Sequence, residues 1–381
     1  MSNVISQKSK VFVAMSGGVD SSVAAASLKK QGYEVVGVHM KCYNVDGCAE
    51  QDAEDARRVA EVLGIPFYVF DFEKEYKEKV VEYMVNGYRQ GITPNPDVMC
   101  NKEIKFGLFL KKALEMGADY VATGHYVRLR TTIDNKQLTT DKRNKNIGQM
   151  SNVKCQMFAA KDSNKDQSYF LWTLAQEQLW HCLFPIGDYW KSEVRVMAKK
   201  FDLPNAEKKD SQGICFLGQV TLKDFLGSYL PEKRGLVLNT AGKVVGEHSG
   251  AHFYTIGQRH LGFNQQPTTN NQQPLYVAEK DVQENAILVA EENSPALYKN
   301  EINLRQVNFI DQRLTIDSSR RVWVRVRYRQ PLFPATLKIS RKLSAVSCKL
   351  TFDERQKFVA AGQSAVFYDG HGKMLGGGII A

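Results

Sequence analysis

Short apolar runs alternate with helix-like segments through the first 125 residues, and this alternation limits the possible folds more than any other feature of the chain. Parallel strands that are buried on both faces read as continuous apolar runs, and helices lie between them in sequence. We therefore predict a doubly wound parallel α/β sheet. The predicted strands are 11–15, 34–40, 67–72 and 119–125, and the first two helices are 20–32 and 49–64.

A glycine- and serine-rich string, Ser16 to Ser22, lies between the first predicted strand and the first helix. Its two glycines allow a tight turn that directs backbone N–H groups at an anion, and the helix N-terminus behind them adds partial positive charge. The string lacks the Gly-Lys-Ser/Thr of a Walker loop and the GxGxxG of a dinucleotide fold. It predicts a phosphate-binding loop, with a simple capped turn as the alternative.

Two of the seven cysteines stand in distinctive surroundings. Cys100 follows the string 95–99 (NPDVM) and precedes a predicted helix, whose N-terminus would lower the pKa of its thiol. Cys215 follows 210–214 (DSQGI) on a predicted tight loop. Taken alone, each cysteine is better explained as a small packing residue. Beside a phosphate loop, the two thiols suit a reaction in which ATP activates a carbonyl oxygen and a cysteine supplies sulfur.

Together these strings closely resemble the bacterial tRNA-specific 2-thiouridylases, the MnmA family of the ATP pyrophosphatase superfamily. The resemblance covers essentially the whole chain and includes 122–126 (ATGHY), 165–172 (KDQSYFLW), 248–262 and the basic strand near 325. It implies an enzyme that adenylates the C2 oxygen of the wobble uridine of tRNA and then replaces that oxygen with sulfur.

The resemblance also implies roles for individual residues. The implied ATP-binding residues are Ala14, Met15, Ser16, Gly17, Gly18, Val19, Asp20, Ser21, Met40 and Gly124. The implied target-base residues are Asn95, Pro96 and Asp97, and the implied tRNA contacts are Lys165, Asp166, Gln167, Arg327 and Tyr328. Cys215 is expected to carry a persulfide and to end in a disulfide with Cys100, while Asp97 moves protons at the uridine. The sulfur is expected to attack C2 either as the persulfide or as hydrosulfide released by Cys100. Mg²⁺ is expected to arrive with ATP, without a tightly bound metal, and a sulfur-relay protein is expected to deliver the persulfide sulfur.

The character of the chain changes at about residue 216, from mixed α/β to short β-rich runs. We predict an adenylating domain at 1–216, a central β-rich linker domain at 217–298 and a C-terminal β-barrel domain at 299–381 that contacts tRNA. Within the first domain, the polar residues 128–154 predict a loop or hairpin. Helical periodicity returns at 168–184 and 192–201.

The chain carries 51 basic and 41 acidic residues, a balance that fits a polyanionic partner. Residues 321–329 alternate strictly, so a strand would place Arg321, Trp323, Arg325, Arg327 and Arg329 on one face. We expect this face to follow tRNA phosphates, with a solvated sheet face as the alternative. No stretch approaches the ~20 apolar residues of a membrane span. The cysteines are few and their number is odd, which favours reduced thiols and a cytoplasmic location.

Two rival functions follow from parts of the pattern. A non-thiolating ATP pyrophosphatase ligase acting on a small metabolite would not need Cys100, Cys215 or the arginine strand. A tRNA-binding protein without catalysis would not need the phosphate loop. His125 follows a predicted strand end, where ligands bind in such sheets, although a structural histidine is equally expected there.

Overall fold

The computed structural model describes residues 8–45, 49–133, 136–138, 153–210, 213, 216–218, 220–262, 274–311, 318–342 and 345–381. By their internal contacts these residues form two compact units. The first unit comprises Met1–Lys79, Asp97–Gly218 and His371–Leu375, and the second comprises Val80–Pro96, Gln219–Gly370 and Gly376–Ala381. The predicted persulfide residue, Cys215, lies outside the described residues.

The first unit is built on a five-stranded parallel sheet, which confirms the predicted doubly wound class. Its strands are β1 (Lys10–Ala14), β2 (Glu34–Lys41), β3 (Phe67–Asp71), β4 (Tyr120–Ala122) and β8 (Cys182–Leu183), in the order β3-β2-β1-β4-β8. Beside it, the hairpin predicted within 128–154 is present as part of a three-stranded antiparallel sheet. That sheet comprises β5 (Arg128–Ile133), β6 (Lys136–Leu138) and β7 (Val153–Phe158).

Helices cover the parallel sheet. The helices that the structure describes in the whole chain are α1 (Val19–Lys30), α2 (Ala49–Leu63), α3 (Glu73–Tyr76), α4 (Glu82–Arg89), α5 (Pro96–Met99), α6 (Leu110–Glu115), α7 (Gln176–Trp180), α8 (Lys191–Lys200) and α9 (Leu222–Gly227). Two π-helical segments are Lys77–Val81 and Cys100–Phe109, and three 3-10 turns are Ser168–Phe170, Ala251–Phe253 and Pro295–Leu297.

Helix α1 is buried along nearly its whole length, because its small side chains let it approach both the sheet and its neighbours. Val23, Ala24 and Ala25 are fully inaccessible and pack in one core with Val11 and Val13 of β1. The same core includes Val194 and Ala198 of α8. This tight packing fixes the first turn of α1, and therefore the loop before it, relative to the sheet.

The long helix predicted at 168–184 is wrong. The chain instead forms a 3-10 turn, the short helix α7 and strand β8. Asp166 Oδ1 accepts a hydrogen bond from the N–H of Ser168 at 3.1 Å, and Gln178 Oε1 accepts one from the N–H of Ala175 at 2.9 Å. These side chains cap backbone groups at both places, so they start two short elements rather than one helix. The helix predicted at 192–201 is confirmed as α8.

The helix after Cys100 begins earlier than predicted. Helix α5 starts at Pro96 and runs directly into the π-helical segment Cys100–Phe109 and then α6. Met99, immediately before Cys100, already has helical backbone angles. Cys100 therefore lies one turn inside the helix, and the predicted position of its thiol at the helix N-terminus is wrong.

The second unit contains a four-stranded sheet and a closed six-stranded barrel, as predicted for the central and C-terminal regions. The sheet has the order β10 (Val244–His248), β9 (Gly235–Asn239), β12 (Ala286–Glu291), β11 (Leu275–Asp281). The barrel has the order β13 (Tyr298–Phe309), β16 (Ala345–Lys357), β15 (Phe333–Lys342), β14 (Ser318–Arg325), β17 (Ser364–Tyr368), β18 (Met374–Ile380). Inward-facing aliphatic residues such as Val322, Leu337 and Leu350 are fully buried in it.

The predicted five-residue arginine face is wrong. Strand β14 ends at Arg325, where the chain bends, and Arg329 has a left-handed backbone with φ +63°. The N–H of Val326 donates to Gln330 Oε1 at 3.0 Å, so the chain turns back instead of continuing the ladder. Arg325 itself is only 7% exposed, with its guanidinium 5.6 Å from the centre of the Tyr368 ring. The alternation therefore does not produce one solvent-facing row.

Candidate functional site

The phosphate loop lies where the order of the parallel sheet reverses. Strand β1 has β2 on one side and β4 on the other, and all three run in the same direction. The loops that leave their carboxyl ends therefore meet at one edge, which is where ligands bind in open α/β sheets. Ala14 ends β1, Met40 lies near the end of β2, and Gly124 follows β4 by two residues.

The loop itself has the geometry of an anion cradle. Gly17 has φ +71°, and a Cβ atom there would overlap the carbonyl oxygen of Asp52. The hydroxyl groups of Ser21 and Ser22 both donate to the carbonyl oxygen of Gly18, at 3.0 and 2.9 Å. The N–H of Ser16 donates to Ser21 Oγ at 3.2 Å. These bonds fold the loop over the first turn of α1.

Gly124 packs directly on that first turn. A Cβ atom at Gly124 would lie 2.6 Å from the backbone nitrogen of Ser21 and 2.7 Å from the backbone carbon of Asp20. Real Cβ contacts with backbone are never this close, so only glycine fits. The predicted ATP-binding residues at 14–21, 40 and 124 are therefore brought to one edge of the sheet.

Three residues distant in sequence hold the loop in place. Asn205 Nδ2 donates to the carbonyl oxygen of Gly17 at 2.8 Å and contacts Ser22 Oγ at 2.9 Å. Asp20 Oδ1 accepts hydrogen bonds from the Tyr126 hydroxyl at 2.8 Å and from Lys191 Nζ at 2.7 Å. Burial and the negative charge of Asp20 raise the pKa of Tyr126, so its phenol stays protonated and donates.

A second set of titratable groups follows β4. Burial lowers the pKa of His125 well below 6.5, and the nearby charge of Lys105 lowers it further. The imidazole is thus neutral at pH 7. Its Nε2 lies 3.5 Å from Lys105 Nζ and its Nδ1 lies 2.7 Å from Thr123 Oγ1. If the ammonium donates to Nε2, then Nδ1 carries the proton and donates to the threonine.

The same Lys105 acts on Asp97. Burial raises the pKa of the Asp97 carboxyl, and the charge of Lys105 opposes that rise. A carboxyl group with a raised pKa is suited to giving and taking protons near neutral pH. Asp97 belongs to the first unit, whereas Asn95 and Pro96, the other predicted target-base residues, belong to the second.

Within the second unit, the chain just before Asn95 is fixed to the barrel end. The N–H of Thr93 donates to the carbonyl oxygen of Ala361 at 2.8 Å. Gln363 Nε2 donates to the carbonyl oxygens of Thr93 and Pro94, at 2.9 and 3.3 Å. Asn95 is 9% exposed.

Of the two predicted catalytic thiols, the structure describes one. Cys100 is 5% exposed at the start of its π-helical segment. Because Cys215 lies outside the described residues, its pairing with Cys100 stays a prediction.

The predicted tRNA contacts occupy different environments. Asp166 is 2% exposed and accepts the N–H groups of Ala160 and Ser168 at 3.1 Å each. Gln167 Oε1 accepts the N–H of Tyr126 at 3.0 Å, and Lys165 Nζ contacts Asp210 Oδ2 at 2.6 Å. The side chains of Asp166 and Gln167 are therefore engaged within the first unit.

The other two predicted tRNA contacts lie in the turn after β14. Arg327 donates to the carbonyl oxygen of Ile256 at 2.7 Å and lies over the Phe358 ring. Tyr328 lies beneath the guanidinium of Arg329, 5.2 Å from ring centre to carbon. Both residues are half-buried.

Sequence reasoning assigned no role to several residues that contact the loop or support its neighbouring charges. They are Lys105, Tyr126, Lys191, Arg195, Asn205 and Asp210. Lys191 lies 171 residues from Asp20, and Asn205 lies 188 residues from Gly17. No local pattern marks such contacts. The available signals were Tyr126, which ends the string 122–126, and Asp210, which begins the Cys215 string.

Among the residues that the structure describes, no group of three or more His, Cys, Asp or Glu side chains is placed to hold a metal ion. In the same part of the chain, no helix combines the length and the apolar character needed to cross a membrane.

Comparison with known proteins decides the family. Residues 9–219 match the family model described as a tRNA methyl transferase HUP domain, 223–291 the tRNA methyl transferase PRC-barrel domain, and 299–380 the aminomethyltransferase beta-barrel domain. A protein of Aeromonas salmonicida named tRNA-specific 2-thiouridylase MnmA is 43% identical over 378 residues, which are 97% of this chain and 96% of the relative. The chain belongs to the MnmA family.

Another member of the MnmA family, from Streptococcus mutans, is 42% identical over 383 residues and covers 98% of this chain and 95% of its own length. A solved 4-thiouridine synthetase in complex with RNA and bound ATP is 17% identical, with a TM-score of 0.32, over 58% of this chain and 50% of its own. That likeness is too low to argue from. The family assignment rests on the MnmA relatives and the matched models.

Proposed function

We propose that the protein is a tRNA-uridine 2-sulfurtransferase, which uses ATP to replace the C2 oxygen of the wobble uridine of tRNA with sulfur. The observation that carries the proposal is the phosphate loop at the reversal point of the sheet, closed by Gly124, in a chain 43% identical to tRNA-specific 2-thiouridylases. A second class of function, ligation of a small metabolite, has no specific observation in its favour.

In the first stage, the uridine C2 oxygen attacks the α-phosphorus of ATP and diphosphate leaves. The N–H groups of the loop, together with the N-terminus of α1, stabilise the charge that develops on the phosphates. Asp97, with its raised pKa, is the candidate for moving the N3 proton of the uridine. Mg²⁺ would enter bound to ATP, and Asp20 is the loop carboxylate suited to face it.

In the second stage, sulfur from a Cys215 persulfide attacks C2 and AMP leaves. Electron balance requires the S–S bond of the persulfide to break, and a second thiol supplies the electrons. We assign that role to Cys100, and the two cysteines end as a disulfide. An external thiol reductant would then reduce the disulfide by exchange, and a sulfur-relay protein would reload Cys215 with persulfide sulfur. Because the reaction uses ATP and tRNA, we place it in the cytoplasm.

The test is mass spectrometry of the anticodon loop after incubation of tRNA with the enzyme, ATP and a persulfide donor. We expect one wobble uridine per tRNA to gain the mass difference between sulfur and oxygen, with one AMP released. Cys215→Ser should abolish the sulfur gain and retain adenylation, since serine cannot carry a persulfide.

Cys182→Ser is the matched control, because this thiol is buried in β8 and belongs to neither predicted catalytic string of the sequence. It should thiolate at the parental level. AMP released without any sulfur gain in the parental enzyme would argue for a non-thiolating ligase, and no AMP at all would remove the phosphate loop from the proposal.

A further inference from the structure

Five charged side chains form a connected network next to the phosphate loop. Lys191 Nζ lies 2.7 Å from Asp20 Oδ1 and 2.9 Å from Asp210 Oδ1, so one ammonium bridges two carboxylates. Lys165 Nζ lies 2.6 Å from Asp210 Oδ2, and Arg195 donates to Asp210 Oδ1 at 2.6 Å. Three cations therefore converge on Asp210.

The bridging lysine is held firmly. Its side chain is 14% exposed, against 32% for Asp20 and 30% for Asp210. Its backbone N–H donates to Asp162 Oδ2 at 3.0 Å, and its ammonium lies 5.9 Å from the centre of the Tyr126 ring. Half-buried charge pairs of this kind are screened by salt much less than surface pairs. The Lys191 ammonium is thus fixed beside the loop that would hold ATP phosphates.

The pKa of the Asp210 carboxyl is lowered by its cationic neighbours, so the group is ionised at neutral pH. Burial by itself would raise its pKa, but the hydrogen bonds from Lys165 and Lys191 outweigh burial and bring the pKa to about 2. An arriving phosphate therefore meets cations that already contact the Asp210 carboxylate. Phosphate and Asp210 carry the same sign of charge and suit the same donors.

We propose that Lys191 is a further phosphate-binding residue of the adenylating site, and that Asp210 competes with ATP phosphate for the Lys191 ammonium. The inference rests on the proposed use of ATP at this loop. On ATP binding, Lys191 keeps its contact with Asp20 and exchanges its contact with Asp210 for a phosphate oxygen.

The proposal predicts opposite signs for two substitutions. Lys191→Gln removes the cation and leaves two carboxylates facing the phosphates, so ATP should bind about tenfold more weakly or worse. Asp210→Asn removes the competitor and leaves three cations, so ATP should bind about threefold to tenfold more tightly. Adenosine, which has no phosphates, should bind both variants like the parental protein.

The experiment is titration of the full chain with a non-hydrolysable ATP analogue and with adenosine, in the absence of tRNA. Glu207→Gln is the matched control: this exposed carboxylate lies three residues before Asp210 and pairs with Lys199 at 2.8 Å. It should change neither affinity. Lys191→Arg should recover part of the affinity lost in Lys191→Gln, because it restores the charge. Thermal melting of each variant checks that it is folded.

Weaker binding of both the ATP analogue and adenosine to Asp210→Asn would show a purely structural role and overturn the proposal. Parental ATP affinity in folded Lys191→Gln would overturn it as well, as would a parental protein that binds ATP no better than adenosine. Failure of the proposed function looks different. In that case tRNA gains no sulfur while the opposite effects of Lys191→Gln and Asp210→Asn on ATP affinity persist.

Discussion

The phosphate loop and strand β14 both carry groups suited to bind phosphate, but they do so by different means. The loop uses backbone N–H groups, and its shape is fixed by glycines that lack space for a Cβ atom. Strand β14 carries long arginine side chains, of which some are exposed and some are buried. Arg325 is buried against Tyr368, whereas Arg321 is exposed and paired with Asp353 at 2.7 Å. A backbone site tolerates little change, while a side-chain site can lose one member and keep its function.

The largest effect should come from the backbone site. Gly124→Ala inserts a methyl group 2.6 Å from the backbone nitrogen of Ser21, so the first turn of α1 must move. Displacing a phosphate cradle by about 1 Å lowers the rate of AMP formation by about 100-fold or more. Single-turnover AMP release measures this directly.

Gly227→Ala is its control, since a Cβ atom there would have nothing within 4 Å and the residue lies in helix α9. AMP release should stay at the parental rate. A Gly124→Ala variant that adenylates normally would mean that the loop does not set the rate, and the contrast between the two sites would disappear.

A smaller effect on tRNA affinity should distinguish the exposed cations of the barrel from the buried ones. Arg321 and Lys338 are exposed, and replacing both with glutamine should weaken the binding of all tRNAs about equally. The slope of log affinity against log salt should then flatten by roughly one to two units. Binding titrations between 50 mM and 200 mM salt, the range over which about 10³-fold losses are typical, give this slope.

Arg325→Gln is the paired variant for that measurement. Because Arg325 is buried over Tyr368, its loss should lower the free energy of unfolding by about 1–2 kcal/mol and leave the salt slope unchanged. If the slope flattens in Arg325→Gln and not in the exposed pair, the surface that contacts tRNA has been assigned to the wrong side chains.

The smallest effect is on the pH dependence of stability, through His125. The pKa of His125 is well below 6.5 in the folded chain because of burial, whereas in the unfolded chain it is near 6.5. The unfolded state therefore binds more protons below pH 6.5, and stability falls as the pH is lowered through this value. One such proton changes the free energy of unfolding by at most about 1.4 kcal/mol per pH unit.

Denaturant titrations at pH 8 and at pH 5.5 test this expectation. His125→Gln should show a smaller fall in stability between the two pH values than the parental protein. At pH 8 the imidazole is neutral in both states, so any difference there reports lost packing and hydrogen bonds only. An equal fall in both proteins would show that His125 does not contribute to the pH dependence.

The features that were predicted from sequence share one property: they are determined by residues close together in the chain. Strands β1 and β2, helix α1 and the loop between 16 and 22 all follow from local apolar periodicity and from the glycines at fixed spacing. The predicted bounds of β1, β2 and α1 differ from the observed ones by at most two residues.

The features that were missed depend on individual side-chain hydrogen bonds, some local and some between residues far apart in the chain. The end of β14 is set partly by Gln330, and the interruption of the predicted helix at 168–184 by Asp166 and Gln178. Lys191 approaches Asp20 only because α8 packs beside α1 in the same core. Local periodicity carries no information on such partners, so the loop could be predicted and its supporting charges could not.

The grouping of residues 80–96 with the second unit bears on how this gene could be divided. Met84, Val85 and Tyr88 of this stretch are at most 4% exposed. Within the second unit, Lys280 lies over the Tyr88 ring, and Thr93 is hydrogen-bonded to Ala361. A fragment truncated near residue 218 would keep this stretch but lose those partners, and it would expose the buried side chains that they cover. Residues 1–218 therefore do not form a self-contained fragment, although a linear domain map suggests that they do. A usable fragment would need residues 80–96 replaced or made polar as well.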